Sequence, residues 1–358
     1  VGLPLDALSG LPTPCLVVDL AAAERNIARA EAIATAGDLR LRPHFKAHKC
    51  TRLMARQLAS GVAIGATCQT AREALVLAGA GVGDILLANE VVTPTDLAIV
   101  AEVAERADLT VAVDDLVHVR LLRDALASRG RRLGVVLELD VGSGRCGIEP
   151  GNPALLELAE AVTATRGLEL RGLLAYEGHL SLKEDPAVRE AGMRVVHERI
   201  AQAVTDLEAH GQRVDLVTGG GTGTLALVAE LRTHDEAQPG SYVLMDATYA
   251  RSGLGFEPAL FCLATVISRP ASGRAVLNAG LKALSAEYGM PTMPAGGLEV
   301  TRLADEHAVA TVTGDRELPI GSDVLLMPAH IDPTINLHGQ LHVWDGAVVE
   351  PWPVDGRA

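Results

Sequence analysis

The sequence predicts an α/β protein built as a (β/α)8 barrel followed by an all-β domain. Three observations carry that expectation. Short, near-continuous apolar runs alternate with helical patterns over residues 39–246, as in parallel sheets whose strands are buried on both faces. Most of the helical patterns stop at a glycine, where the chain must turn left-handed. After residue 255 the helices give out, and only short strand-like runs separated by turn residues remain.

Taken in order, residues 13–19 (TPCLVVD) read as a strand, and a helix over 21–35 ends before Gly37. Strands follow at 39–45, 62–68, 84–89, 109–113, 133–140, 168–176, 214–218 and 242–246. Helices fall between them at 71–80, 95–107, 116–128, 153–165 and 188–210. Eight strands after the first helix suit a closed barrel; a doubly wound open sheet is the competing arrangement. The runs at 259–268, 274–278, 299–304, 308–312, 323–327 and 341–344 form the second domain, with no helix of any length. The expected division is a barrel over 21–250 and a β domain over 251–358.

Composition narrows the function. Of 358 residues, 48% are hydrophobic and 21% charged, which excludes a disordered chain. A net charge of −14 argues against nucleic acid or an anionic membrane as partner. An anionic ligand would have to be held by local geometry. Five scattered cysteines without a C-x-x-C pair fit neither a disulfide framework nor a zinc finger, and suit reduced thiols in the cytoplasm. Residues 1–14 lack the pattern of a signal peptide, and no run approaches the roughly 18 apolar residues of a membrane span.

Several stretches could carry chemistry. Residues 42–49 (RPHFKAHK) follow a strand and precede a helix, which puts Lys46 at the top of the barrel. An amine in a half-buried pocket loses basicity and can form a Schiff base. Residues 217–224 (VTGGGTGT) follow the seventh barrel strand, where barrels commonly bind phosphate, and Pro239-Gly240-Ser241-Tyr242 offers further donors. Residues 140–147 (DVGSGRCG) contain G-x-G-x-x-G, but Pro150 and Pro153 delay the next helix, so no dinucleotide would sit on a helix N-terminus. Arg145 is better read as a fixed cation for a phenolate or carboxylate. Tyr176 and His179 end strand six, and Gln69 follows strand two. In extended chain His330 and Asp332 would share one face and could bind one divalent ion, or form a hydrogen-bonded pair in a turn. Residues 305–307 (DEH) are a second polar cluster or an exposed turn.

The ordered set PHFKAHK, GATCQTAREA, DVGSGRCG, TGGGTGT with PGSYVLMD, and PAHIDPTINLH resembles the D-threonine aldolase and D-serine dehydratase family. These are fold-type III pyridoxal-phosphate enzymes with an alanine-racemase-like barrel. The resemblance runs nearly end to end and implies that residues 1–20 join the β domain. It matches Lys46 to the lysine that forms the Schiff base and Arg145 to the arginine near the cofactor's phenolic oxygen. Gly220, Gly221, Thr222, Gly240 and Ser241 match phosphate contacts, and Tyr176 and Gln69 match residues lining the ring. His330 and Asp332 match the metal pair. Dehydratases resembling this chain carry a cysteine at the second position, which suits zinc; the oxygen of Asp332 points to Mn²⁺ or Mg²⁺ and to the aldolases, with Zn²⁺ possible. Leu182 stands where aldolases often have a histidine, so His179 or a bound water is the expected base. The implied reaction is cleavage of a D-3-hydroxy amino acid to glycine and an aldehyde by a homodimer. The alternatives are a D-serine or 3-hydroxy-D-aspartate dehydratase and a non-catalytic cofactor-binding protein.

Overall fold

The computed structural model describes residues 3–127, 131–314 and 317–357. The expected helix end at Ser128 and its stop at Gly130 lie outside them. The chain divides into two compact units. One comprises residues up to Arg29, Ala47–Arg52 and Ser241 onward; the other comprises Ala30–Lys46 and Leu53–Gly240.

The second of these is the barrel. Its eight strands are all parallel, in the order Arg40–Leu41, Glu236–Ala237, Leu216–Gly219, Leu168–Ala175, Leu133–Glu138, Asp108–Val113, Asp84–Leu87 and Ala66–Cys68. Bridges from Leu41 to Ala63 and from His44 to Thr67 join the two ends and close the ring. The inward side chains include Leu86, Ala112, Val136 and Leu174, one from each of four strands, so the barrel is a packed core. Helix starts are where local chemistry asks for them. Thr70, Thr93 and Asp115 each cap the helix that follows with a side-chain oxygen, and Pro94 occupies a first-turn position where its missing N–H costs nothing.

Closure rests on a buried ion cluster. The Arg42 guanidinium forks onto Glu236 at 2.9 and 3.1 Å and onto Asp84 at 2.6 and 3.1 Å. Arg42 and Glu236 are both buried, so each charge depends on the other for solvation.

Two barrel expectations need correction. The eighth strand is Glu236–Ala237, and the expected strand at 242–246 instead begins within a 3-10 turn, Ser241–Val243. The strand expected over 39–45 is only Arg40–Leu41, and Lys46 lies in a 3-10 turn, Phe45–Ala47. The helix Leu225–Leu231 was not anticipated from the sequence.

In the other unit, Cys15–Asp19 is central to its sheet. It pairs antiparallel with Leu260–Ser268 and parallel with Gln340–Trp344. Arg274–Leu277, Ala308–Val312 and Leu298–Leu303 extend one side, Val349–Pro353 the other, and Asp323–Leu326 also pairs with Leu260–Ser268. Cys15, Val17, Phe261, Leu263, Leu325 and Met327 make its core. This unit is not free of helix: Ile331–Ile335 is a short helix that begins at the expected metal pair.

Replacing Arg42 by alanine strands the buried Glu236 carboxylate. We expect a loss of about 3–5 kcal/mol, read as a lower urea midpoint; an unchanged midpoint would mean the cluster adds nothing to closure.

Candidate functional site

In a parallel barrel all strand C-termini open on one rim, and the expected cofactor residues of this unit follow such ends. Gln69 comes straight after Ala66–Cys68, Tyr176 after Leu168–Ala175, and Gly220 after Leu216–Gly219. Arg145 lies beyond Leu133–Glu138, and Gly240 beyond Glu236–Ala237. Lys46 follows Arg40–Leu41 and is half-buried, and among the described residues no carboxylate pairs with its amine.

The rim is tied together locally. Asp140 accepts the Gly142 and Gly144 N–H groups at 2.9 and 3.0 Å and shapes the loop that presents Arg145. The next helix begins only at Ala154, so the glycines serve this turn and not a dinucleotide. Ser143 Oγ donates to the Tyr176 carbonyl at 2.8 Å, and the Arg145 guanidinium lies 5.7 Å from the Tyr176 ring centre. A Cβ placed on Gly221 would come within 3.2 Å of that ring, so glycine lets the loop pack on Tyr176. Gln69 donates its side-chain N–H to the Ala88 carbonyl at 2.9 Å. The N–H groups of Gly220 and Gly221 are used inside the loop, by Glu177 at 3.3 Å and Thr224 at 3.0 Å. Thr222 is buried one residue further on.

Arg145 has a partner that sequence reasoning missed. Glu138 is buried and meets the guanidinium at 3.3 Å. Burial, then the neighbouring Glu90 carboxylate, pushes the Glu138 pKa up to about 8, against the pull of Arg145. His179 lies on the short helix Gly178–Ser181, over Gly142. Partial desolvation, with Arg199 and Lys183, holds its pKa below the ordinary value although Glu177 and Asp140 oppose this.

In the other unit, His330 is the N-cap of the helix Ile331–Ile335, and Asp332 is in its first turn. The extended geometry expected for the pair is therefore wrong, but their side chains still approach. His330 Nε2 is 3.8 Å from Asp332 Oδ1. Glu287 holds His330 Nδ1 at 2.8 Å, and Tyr288 stacks on the imidazole at 4.3 Å. A carboxylate on one ring nitrogen fixes the ring and leaves the other for a metal. Buried Asp246 accepts the Ile331 N–H at 3.3 Å and anchors the start of this helix. Ser241 is also buried in this unit.

Comparison with known proteins identifies the family. The model for the alanine racemase N-terminal domain matches residues 18–248, and that for a putative serine dehydratase domain matches 259–344. D-threonine aldolase from Arthrobacter sp is 40% identical, covering 99% of this chain and 95% of that one. 3-Hydroxy-D-aspartate aldolase from Paracoccus denitrificans (strain Pd 1222) is 35% identical, covering 100% and 96%. The solved D-threonine aldolase from Filomicrobium marinum superposes with a TM-score of 0.92 at 39% identity, covering 97% and 95%. The chain belongs to the D-threonine aldolase and D-serine dehydratase family and is a lyase. Among its described residues no helix is long and apolar enough to cross a membrane.

The family implies pyridoxal phosphate and a divalent metal, and the residues present fit both. The Lys46 amine, with no ion-pair partner among the described residues, the Arg145 guanidinium held by Glu138 and a glycine–threonine loop share the barrel rim. Asp332 Oδ1 is buried without a hydrogen-bond partner, a costly state that a metal ion would relieve.

The raised Glu138 pKa has a consequence for pH. The folded carboxyl keeps its proton to about 8, whereas the unperturbed value is 4.5. The folded state therefore binds more protons in that window, and this group's contribution to stability declines as pH rises through it. Glu138→Gln should flatten that decline in pH-dependent urea unfolding; an unaltered slope would assign the proton elsewhere.

Proposed function

We propose that this protein cleaves D-3-hydroxy amino acids of the D-threonine type to glycine and an aldehyde, using pyridoxal phosphate and Mn²⁺ or Mg²⁺. The observation that carries the metal half is the buried, unpartnered Asp332 Oδ1 beside His330. A carboxylate oxygen with an imidazole suits a harder ion than a thiolate does. Bound pyridoxal phosphate supplies an electron sink for charge at Cα, and the metal supplies Lewis acidity toward the β-hydroxyl.

The chain's own residues do the rest. Lys46 offers the amine that attaches the cofactor and exchanges with the substrate amine. Arg145, its guanidinium held by Glu138, would meet the cofactor's phenolic oxygen. Tyr176 and Gln69 would line the ring. Thr222, Gly240 and Ser241 donate to the phosphate, while Gly220 and Gly221 give the loop its turn; Gly220 has φ +68°, which favours glycine. His330 and Asp332 hold the metal, with Glu287 orienting the imidazole. His179 takes the proton of the β-hydroxyl. Its lowered pKa keeps it neutral, and so able to accept a proton, at neutral pH. The Cα–Cβ bond then breaks, the β carbon leaving as aldehyde while the bonding pair stays with Cα, which takes up a proton to give glycine. We further propose a homodimer working in the cytoplasm, where the five unpaired cysteines would stay reduced.

The match of residues 259–344 to a serine dehydratase domain supports a second reading. In it the same residues remove the Cα proton and expel the hydroxyl, giving a keto acid and ammonia. Products of D-threonine, D-phenylserine and 3-hydroxy-D-aspartate, with and without EDTA, separate the two. Glycine and aldehyde, lost with EDTA and restored by Mn²⁺, are expected. Ammonia and keto acid would favour the dehydratase, and no turnover of any of them would favour a binding role.

Two variants test the assignments. Lys46→Ala should lose both turnover and the visible absorbance of bound cofactor. Asp332→Ala should keep the absorbance and lose the response to Mn²⁺; a preserved metal response would refute the ligand assignment.

A further inference from the structure

Four of the five residues at 219–223 are glycine, and such a stretch is expensive to order. A buried carboxylate does the ordering. Glu177 follows Tyr176 at the tip of Leu168–Ala175 and is fully buried. Its Oε2 accepts the Gly220 N–H at 3.3 Å, and its Oε1 accepts the Thr224 hydroxyl. The Thr224 oxygen in turn accepts the Gly221 N–H at 3.0 Å. Beneath the loop, His234 Nε2 lies 3.9 Å from Glu177 Oε2 and donates to the Ala175 carbonyl at 2.8 Å. Thr233 Oγ1 meets His234 Nδ1 at 2.7 Å, so the imidazole is pinned on both sides. A carboxylate withdrawn from water is tolerated only when its oxygens are bonded, and here both are.

The tie also fixes the path of the chain. A Cβ on Gly223 would lie 1.9 Å from the Ser181 carbonyl oxygen, so the loop is pressed against the segment after Glu177. Two inward amides, one threonine and one glutamate thus set where residue 222 stands.

We propose that Glu177 is a positioning residue for phosphate binding: through Gly220 and Thr224 it sets the loop that presents Thr222 to the cofactor's phosphate. The inference rests on the pyridoxal-phosphate reading. The role has a clear electrostatic rival. A carboxylate this near a dianion repels it, so if charge alone mattered, removing Glu177 would tighten phosphate binding. A positioning role predicts the opposite sign.

The test compares affinities of the full-length apoprotein for pyridoxal phosphate and for pyridoxal, which share the aldehyde that reacts with Lys46 and differ in the phosphate. Glu177→Ala should weaken pyridoxal phosphate by about tenfold or more relative to pyridoxal, because two hydrogen bonds that order the loop are lost. Thr224→Val should act in the same direction, and decides the matter if Glu177→Ala does not fold. Glu177→Gln should stay within about twofold of wild type, since the rotatable Thr224 hydroxyl can accept from the new amide. A ratio unchanged or raised in Glu177→Ala, or unchanged in Thr224→Val when Glu177→Ala does not fold, overturns the positioning role. Wild-type protein that does not prefer pyridoxal phosphate to pyridoxal overturns the phosphate site itself, and this inference with it.

Discussion

The barrel depends on one guanidinium. Arg42 leaves the first barrel strand and bonds in forks to Glu236 on the last strand and to Asp84 on Asp84–Leu87. A closed parallel ring must join its first strand to its last, and here both strands are only two residues long. Two residues of ladder are a weak seam. A buried bidentate ion pair, with geometry fixed by the planar fork, strengthens it. Lys46 is four residues further along the same segment, so the amine proposed to attach the cofactor takes its position from this closure.

That interaction also explains a misreading. Residues 242–246 are apolar and look like a strand, whereas the true last strand contains Glu236, which looks like a loop residue. The glutamate is there because its partner is Arg42, nearly two hundred residues away in the chain. No local pattern signals such a pair. The repeating strand–helix order, the change to short strands after residue 255, and most helix ends were legible because they rest on periodicity and caps within a few residues.

Other misses have the same origin. The helix Ile331–Ile335 contains Pro333 and reads as a turn, but a proline in the first turn loses no helical bond, and Asp246 supplies the missing partner for the Ile331 N–H from 85 residues upstream. Val349–Pro353 holds two prolines and lies at the end of its sheet, where an unpaired side tolerates them. At the site, residues that carry reactive groups stood out by type and motif: Lys46, Arg145, His330, Asp332. The groups that hold Arg145, His330 and the glycine loop, which are Glu138, Glu287 and Glu177 respectively, are ordinary glutamates in sequence. Their meaning lies in what they touch. In a chain of net charge −14 an anionic cofactor would have to be held by local arrangements and not by the overall field.

The proposed reaction requires that the Lys46 amine and a metal on His330 and Asp332 serve one substrate molecule. A crystal structure of the protein loaded with pyridoxal phosphate and Mn²⁺ and soaked with an unreactive D-threonine analogue tests this most directly, with the metal located by anomalous scattering. The expected result is a single analogue whose amine is joined to the cofactor and whose hydroxyl meets the metal. A metal that contacts no part of the cofactor-bound analogue, from either subunit, would contradict it.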